Sequence, residues 1–262
     1  MSKHNADPAP LVVGGRQLGS RLMVGTGRFK STDEAVAAIN ASGAEVVTVA
    51  VRRVDLGGGS ILDALDLSHL HLLPNTSGCA SAQEAVRTAQ LAREALETNL
   101  VKLEVVSDLK TLLPDVVETV QATETLAAEG FDVMVYTTDD LGIARRLVDA
   151  GAAAVMPLAA PIGSGMGLQD PYRLELLIDE IRTIPVIVDA GVGVPSHAAE
   201  VMELGADGVL MNTGIAAAQD PVRMAHAMRL AIEAGRLAYL SRPMEPLAGA
   251  RASSPQEGVI GT

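Results

Sequence analysis

The 262-residue chain has no Trp and an aromatic fraction of 2%, so it lacks the ring surface on which unstacked nucleic-acid bases are held. Cysteine is as scarce. Cys79 is the single one, which excludes an intramolecular disulfide and argues against a Cys-based metal site, and the five His show no metal-ligand spacing. No run reaches the roughly 18 apolar residues of a membrane span, and the N-terminus MSKHNADPAP lacks the apolar stretch of a secretory signal. A cytoplasmic protein with no membrane partner is expected. Positive charge is in deficit too: the formal net charge is −12, with no compact Lys/Arg run, which argues against a nucleic-acid partner. Small anions stay open, because backbone N–H groups at helix starts bind phosphate whatever the net charge.

What is present is a 48% hydrophobic content, mostly Ala, Val, Leu and Ile, at a length that suits one α/β barrel. Apolar runs predict eight strands near 21–26, 45–51, 71–76, 101–106, 132–137, 153–158, 185–190 and 208–213. Amphipathic stretches such as 31–43, 81–99 and 196–207 lie between them, each opening on a Ser that reads as a cap. Gly43, Gly130, Gly151 and Gly205 fall where helices should stop, since Gly accepts the left-handed C-terminal cap. The pattern predicts a single (β/α)8 barrel of the TIM type, with an open doubly wound sheet as the alternative. Residues 1–10 are expected to be a disordered N-terminus, 11–242 the barrel with a short hairpin over 11–20 closing its bottom, and 243–262 a flexible tail.

In such a barrel the chemistry sits at the C-terminal ends of the strands. The fourth strand, LVKLEVV at 100–106, alternates so that Val101, Leu103 and Val105 face the helices while Lys102 and Glu104 point inward. The chain has four Lys against 16 Arg, so a lysine here suggests a task arginine cannot perform: losing its proton when desolvated and attacking a carbonyl to form an imine. Glu104 reads as a general acid or base. A buried ion pair that only fixes the barrel interior is the alternative for both. The seventh strand, PVIVDAGVG at 185–193, turns Asp189 inward, and the alternative there is a carboxylate that caps the following loop.

Gly191 and Gly193 after the seventh strand, and Asn212, Thr213 and Gly214 after the eighth, have the composition of a phosphate cradle. The stretch PLAAPIGSGMGLQDP at 157–171 is too Gly-rich for a plain connector and reads as a ligand loop. Its Gly163, Gly165 and Gly167 lack the strand and helix context of a dinucleotide fingerprint. Arg52 and Arg53, after the second strand, either bind an anion or form ion pairs at the rim.

Taken in order, VGTGRFKS at 24–31, VTVAVRRVDL at 47–56, LPNTSGC at 73–79, VKLEV at 101–105, VMPLAAPIGSGMG at 155–167, VDAGVG at 188–193 and MNTGIA at 211–216 resemble the bacterial thiazole synthase family of thiamin biosynthesis. The resemblance covers nearly the whole chain, and the tail adds Ser253, Ser254 and Pro255. It implies a transferase that holds 1-deoxy-D-xylulose 5-phosphate as an imine on Lys102, with Glu104 and Asp189 as acid/base groups. It also implies substrate contacts from Gly163, Ala190, Gly191, Asn212 and Thr213. The reaction so implied joins that sugar phosphate to a glycine-type imine, made from glycine or tyrosine by another enzyme, and to sulfur from the thiocarboxylate of a small carrier protein. No metal or organic cofactor is implied, and a homo-oligomer, dimer or tetramer, is. Two features depart from the family pattern: Asp55 stands where Asn is expected, and Gly57 to Gly59 make that loop unusually glycine-rich.

Other imine-forming barrels, such as a class I aldolase or a pyridoxal-phosphate-forming synthase, would share the lysine and the cradle. A non-catalytic scaffold that binds a phosphorylated metabolite would share the cradle alone.

Overall fold

Short β-branched runs and capped amphipathic stretches alternate along the chain, and the computed structural model, which describes residues 9–50, 61–251 and 253, resolves them into ten strands and nine helices among those residues. A hairpin of β1 (Leu11–Val13) and β2 (Arg16–Leu18) comes first. Then follow β3 (Leu22–Gly25), α1 (Thr32–Ser42), β4 (Val46–Ala50), α2 (Ile61–Ala64), β5 (His71–Asn75), α3 (Ala82–Leu96), β6 (Leu100–Leu103) and α4 (Val116–Ala128). The second half runs β7 (Asp132–Thr137), α5 (Leu141–Asp149), β8 (Ala154–Pro157), α6 (Pro171–Glu180), β9 (Ile187–Asp189), α7 (Pro195–Glu203), β10 (Gly208–Met211), α8 (Thr213–Ala216) and α9 (Pro221–Ser241). None of these helices is long and apolar enough to cross a membrane.

Strands β3 to β10 pair in parallel in the order β8-β7-β6-β5-β4-β3-β10-β9. The two ends of that order meet: Val155 bridges Val186, Leu158 bridges Asp189, and the Val155 N–H donates to the Pro185 carbonyl at 3.1 Å. The sheet is therefore a closed (β/α)8 barrel, and with no reversal of strand order the doubly wound alternative is gone.

Two apolar layers hold it. Val24, Val47, Val101, Val133, Val155, Val188 and Val209 point outward into the helices, while Met23, Val46, Leu73, Leu100, Met134, Ile187 and Leu210 fill the lower barrel interior. Leu11, Val13 and Leu18 of the hairpin join that inner layer. Arg16 fastens the hairpin to the start of β7, donating to Asp132 at 2.7 Å. The lower end is thus plugged, which leaves the upper end for a ligand.

Ser31 and Ser81 cap α1 and α3 as expected, accepting from the N–H groups of Glu34 and Glu84. Ser196 does not cap α7. That helix starts two residues earlier, with Val194 as its N-cap residue and Pro195, whose fixed φ suits a first helical position, inside it. Gly43, Gly130, Gly151 and Gly205 all adopt positive φ behind their helices.

Strands four, seven and eight of the barrel stop before the ranges read from the sequence. β6 ends at Leu103, and β9 ends at Asp189 and β10 at Met211 because Ala190 (φ 65) and Asn212 (φ −139, ψ −64) leave extended geometry and begin the loops that follow. The loop carrying Arg52, Arg53, Asp55 and Gly57 to Gly59 lies outside the described residues, as do residues 1–8, Ser254 and Pro255. Residues 243–251 are exposed and carry no regular structure.

Candidate active site

Two residues further up the strands, the inward layer changes from apolar to polar. Above Leu100 stands Lys102, above Leu73 Asn75, above Val46 Thr48, above Ile187 Asp189 and above Leu210 Asn212. All five line a cavity of about 970 Å³ at the C-terminal end of the barrel. Lys102, Glu104, Asp189, Gly163, Ala190, Gly191, Asn212 and Thr213, the residues singled out in the sequence, border this one space.

Lys102 Nζ lies 2.5 Å from Asp189 Oδ2 and 3.1 Å from Glu104 Oε1, with all three side chains at least nine-tenths buried. These are ion-pair contacts; Asp189 Oδ2 has no aligned hydrogen-bond donor. Burial alone pushes the Lys102 ammonium toward losing its proton, but the charges of Asp189 and Glu104 outweigh it and hold the amine above the ordinary lysine value. The simple expectation that desolvation frees the amine is therefore corrected. A free amine at this position would require the proton to move to a neighbour. Asp189 is suited to receive it: burial raises its carboxyl, the Lys102 charge lowers it, and the Glu104 charge raises it again, with the balance above the ordinary value.

The backbone under this triad is fixed by Thr76, a residue with no role in the reading of the sequence. The Thr76 hydroxyl accepts from the Glu104 N–H and donates to the Glu104 carbonyl, both at 2.8 Å, and the Thr76 N–H donates to the Lys102 carbonyl at 3.2 Å. It replaces the sheet ladder where β6 ends.

The three loops read as a cradle pack backbone on backbone. A Cβ on Gly191 would stand 2.4 Å from the Ala160 nitrogen, one on Gly193 2.5 Å from the Gly165 carbonyl oxygen, and one on Gly214 2.7 Å from the Val192 carbonyl oxygen. Only glycine permits this approach of three loops. Gly163 comes near the Thr213 hydroxyl, and the N–H groups of Thr213 and Gly214 open α8 with no intrahelical acceptor. The Gly193 N–H is already used, donating to His197 Nδ1 at 3.3 Å, while the same ring packs on Gly167. His197 thus braces two of the three loops, another role absent from the sequence reading.

A family model described as thiazole biosynthesis protein ThiG matches residues 12–255. The chain belongs to the thiazole synthase family. A thiazole synthase of Chromobacterium violaceum is 56% identical over 256 residues, covering 95% of this chain and 97% of the relative. The crystal structure of the Amycolatopsis orientalis BexX/CysO complex includes a chain that is 36% identical, with a TM-score of 0.83, covering 92% of this chain and all of that one. A mandelate oxidase, 18% identical with a TM-score of 0.59 over 91% of this chain and 81% of its own, shares the barrel alone. Family membership makes this chain an enzyme of thiazole formation in thiamin biosynthesis. Among the described residues no cluster of His, Cys, Asp and Glu has the arrangement of a metal site.

Proposed function

We propose that the chain condenses 1-deoxy-D-xylulose 5-phosphate, a glycine-type imine and the sulfur of a carrier-protein thiocarboxylate into a thiazole phosphate, with the sugar held as an imine on Lys102. The observation that carries this reading is the placement of Lys102 between Glu104 and Asp189, at the head of a barrel beside a three-loop backbone cradle. The phosphate would lie against Gly163, Ala190, Gly191, Asn212 and Thr213, where N–H dipoles supply positive potential in a chain of net charge −12.

In this reading the Lys102 proton passes to Asp189 across the 2.5 Å contact, and the neutral amine adds to the sugar carbonyl. The carbonyl oxygen leaves as water, taking one proton from the amine nitrogen and one from the protonated carboxyl. The imine then acidifies the neighbouring carbon, so that successive proton transfers move the carbonyl along the chain. Each needs a carrier on the spot, and Glu104, 3.1 Å from the nitrogen, is placed to act beside Asp189. No metal or organic cofactor enters the scheme.

The complex of the Amycolatopsis orientalis relative with CysO supports a small sulfur carrier protein as partner, its tail reaching the open mouth of the cavity. An enzyme supplying the glycine-type imine, a cytoplasmic location and a homo-oligomeric state, dimer or tetramer, belong to the same reading. The test is reconstitution with sugar phosphate, carrier thiocarboxylate and a source of the imine, comparing the natural chain with Lys102→Arg. Arginine keeps the charge but cannot form the imine. Thiazole phosphate from the first and none from the second is expected; product from Lys102→Arg, or aldol cleavage in place of cyclisation, would overturn the proposal.

A further inference from the structure

Among the buried side chains of the barrel, Tyr136 has no part in the scheme above. It is the largest fully buried side chain among the described residues and lies on β7, one of the strands flanking β6. Met134, two residues before it, faces the barrel interior, so the alternation of the strand turns Tyr136 inward as well. Two contacts define its position. Its ring centroid is 5.9 Å from Lys102 Nζ, within the range in which an ammonium is attracted by the π face. Its hydroxyl donates to the Leu112 carbonyl at 3.3 Å.

Leu112 belongs to the loop that follows β6. It has φ 56, an uncommon left-handed conformation for a residue other than Gly, and both it and Leu109 border the cavity. A bulky residue keeps such a conformation only where surroundings enforce it, and the Tyr136 hydroxyl is one such constraint. One side chain therefore stands beside Lys102 Nζ and bonds to a wall of the cavity.

We propose that Tyr136 is the positioning residue for Lys102: its ring backs the ammonium between the two carboxylates, and its hydroxyl ties that nitrogen's surroundings to the loop bordering the cavity. The role in imine formation rests on the reading of Lys102 as the imine-forming residue, whereas the ring contact itself does not. Burial, followed by the charges of Asp189 and Glu104, raises the phenol above its ordinary value against the opposing Lys102 charge, so Tyr136 stays a neutral hydrogen-bond donor at neutral pH. Around Lys102 the described charged and titratable groups are Glu104 beyond its own strand, Asp189 from β9 and Tyr136 from β7; from β5 comes the uncharged Asn75. Removing the ring withdraws a stabiliser of the ammonium alone, so the free amine becomes more abundant at any given pH.

The experiment is pH-resolved acetic anhydride labelling of Lys102 in the full chain without substrate, read by peptide mass, with Lys30 as internal reference. Three chains are compared: natural, Tyr136→Phe, which keeps the ring, and Tyr136→Met, which fills similar space without one. Tyr136→Leu replaces the Met variant if the latter loses its cooperative unfolding transition. Labelling of Lys102 relative to Lys30 should rise in the ringless variant by a factor of roughly two to thirty. It should stay within about twofold in Tyr136→Phe, the smallest effect expected of losing the ring, while amide exchange over residues 107–113 quickens there. Unchanged labelling in the ringless variant overturns the proposal, and so does an equal rise in both variants. Borohydride trapping with the sugar phosphate is run in parallel: if the natural chain gives no adduct on Lys102, the imine reading falls while the labelling result still decides the role of the ring.

Discussion

Replacing Asp189 with Asn separates two properties, the charge beside the Lys102 ammonium and, in the proposed mechanism, the base that receives its proton. At an effective dielectric of about 20, a pair at 2.5 Å has a gross attraction of about 7 kcal/mol and one at 3.1 Å about 5 kcal/mol, before the cost of burial. Asp189→Asn therefore removes more than half of what favours the ammonium. The remainder, from Glu104, is comparable to the several kcal/mol lost on burying an ion, so Lys102 falls back toward or below its ordinary value. The free amine becomes easier to reach, yet the group proposed to take and return its proton is gone. Loss of a positioned acid/base typically costs a factor of 10² to 10⁴ in rate, about 3–5 kcal/mol of barrier. Acetic anhydride labelling of Lys102 should accordingly be faster in Asp189→Asn than in the natural chain while thiazole formation falls by about 10² or more. If labelling slows, or if turnover is retained, Asp189 is not the proton acceptor.

Asp189→Asn also changes how stability depends on pH. The folded-state carboxyl lies above its unfolded value of 3.8, so its contribution is full below that pH and is lost as pH rises through the raised folded value. Thermal midpoints should therefore show the natural chain losing stability relative to Asp189→Asn between acid and neutral pH; a constant difference would contradict this. Gly191→Ala places a Cβ 2.4 Å from the Ala160 nitrogen at φ 79, costs about 1–3 kcal/mol, and should raise KM for the phosphorylated substrate far more than it lowers stability; an unchanged KM would remove this loop from the cradle. Leu18→Ala, in the plug at the opposite end, should cost about 2–5 kcal/mol in denaturant unfolding and leave kcat unaltered in the folded fraction.

The barrel was legible because its signals are local. Alternation in VKLEV separates Val101 and Leu103 from Lys102 and Glu104 whatever surrounds them, and Ser31 and Ser81 cap helices within one turn of themselves. Strand ends were less legible, since Ala190 and Asn212 leave extended geometry under tertiary constraint: the Ala190 carbonyl accepts from the Ala159 N–H across the β8–β9 seam, and Asn212 packs against Gly25. The start of α7 is not where Ser196 suggests, because a proline at the first helical position fixes the boundary more firmly than a serine one residue later.

Lys102, Glu104 and Asp189 could be placed in one cavity from alternation alone. Their electrostatics could not. Alternation gives the direction of each side chain but not the 2.5 Å approach that turns a desolvated lysine into a strongly held ammonium. Thr76, His197 and Tyr136 were missed for a related reason, since each acts through a long-range contact. For Tyr136 a signal existed: VMVYTT at 133–138 alternates, the chain has only three Tyr, and a phenol turned into a barrel needs a partner for its hydroxyl.

Imine formation on Lys102 is read out by borohydride reduction in the presence of 1-deoxy-D-xylulose 5-phosphate. Peptide mass mapping should find one reduced sugar-phosphate adduct, on the peptide carrying Lys102, and none in Lys102→Arg. An adduct on Lys30 or Lys110 instead, or none on the natural chain while thiazole is still produced, would contradict it.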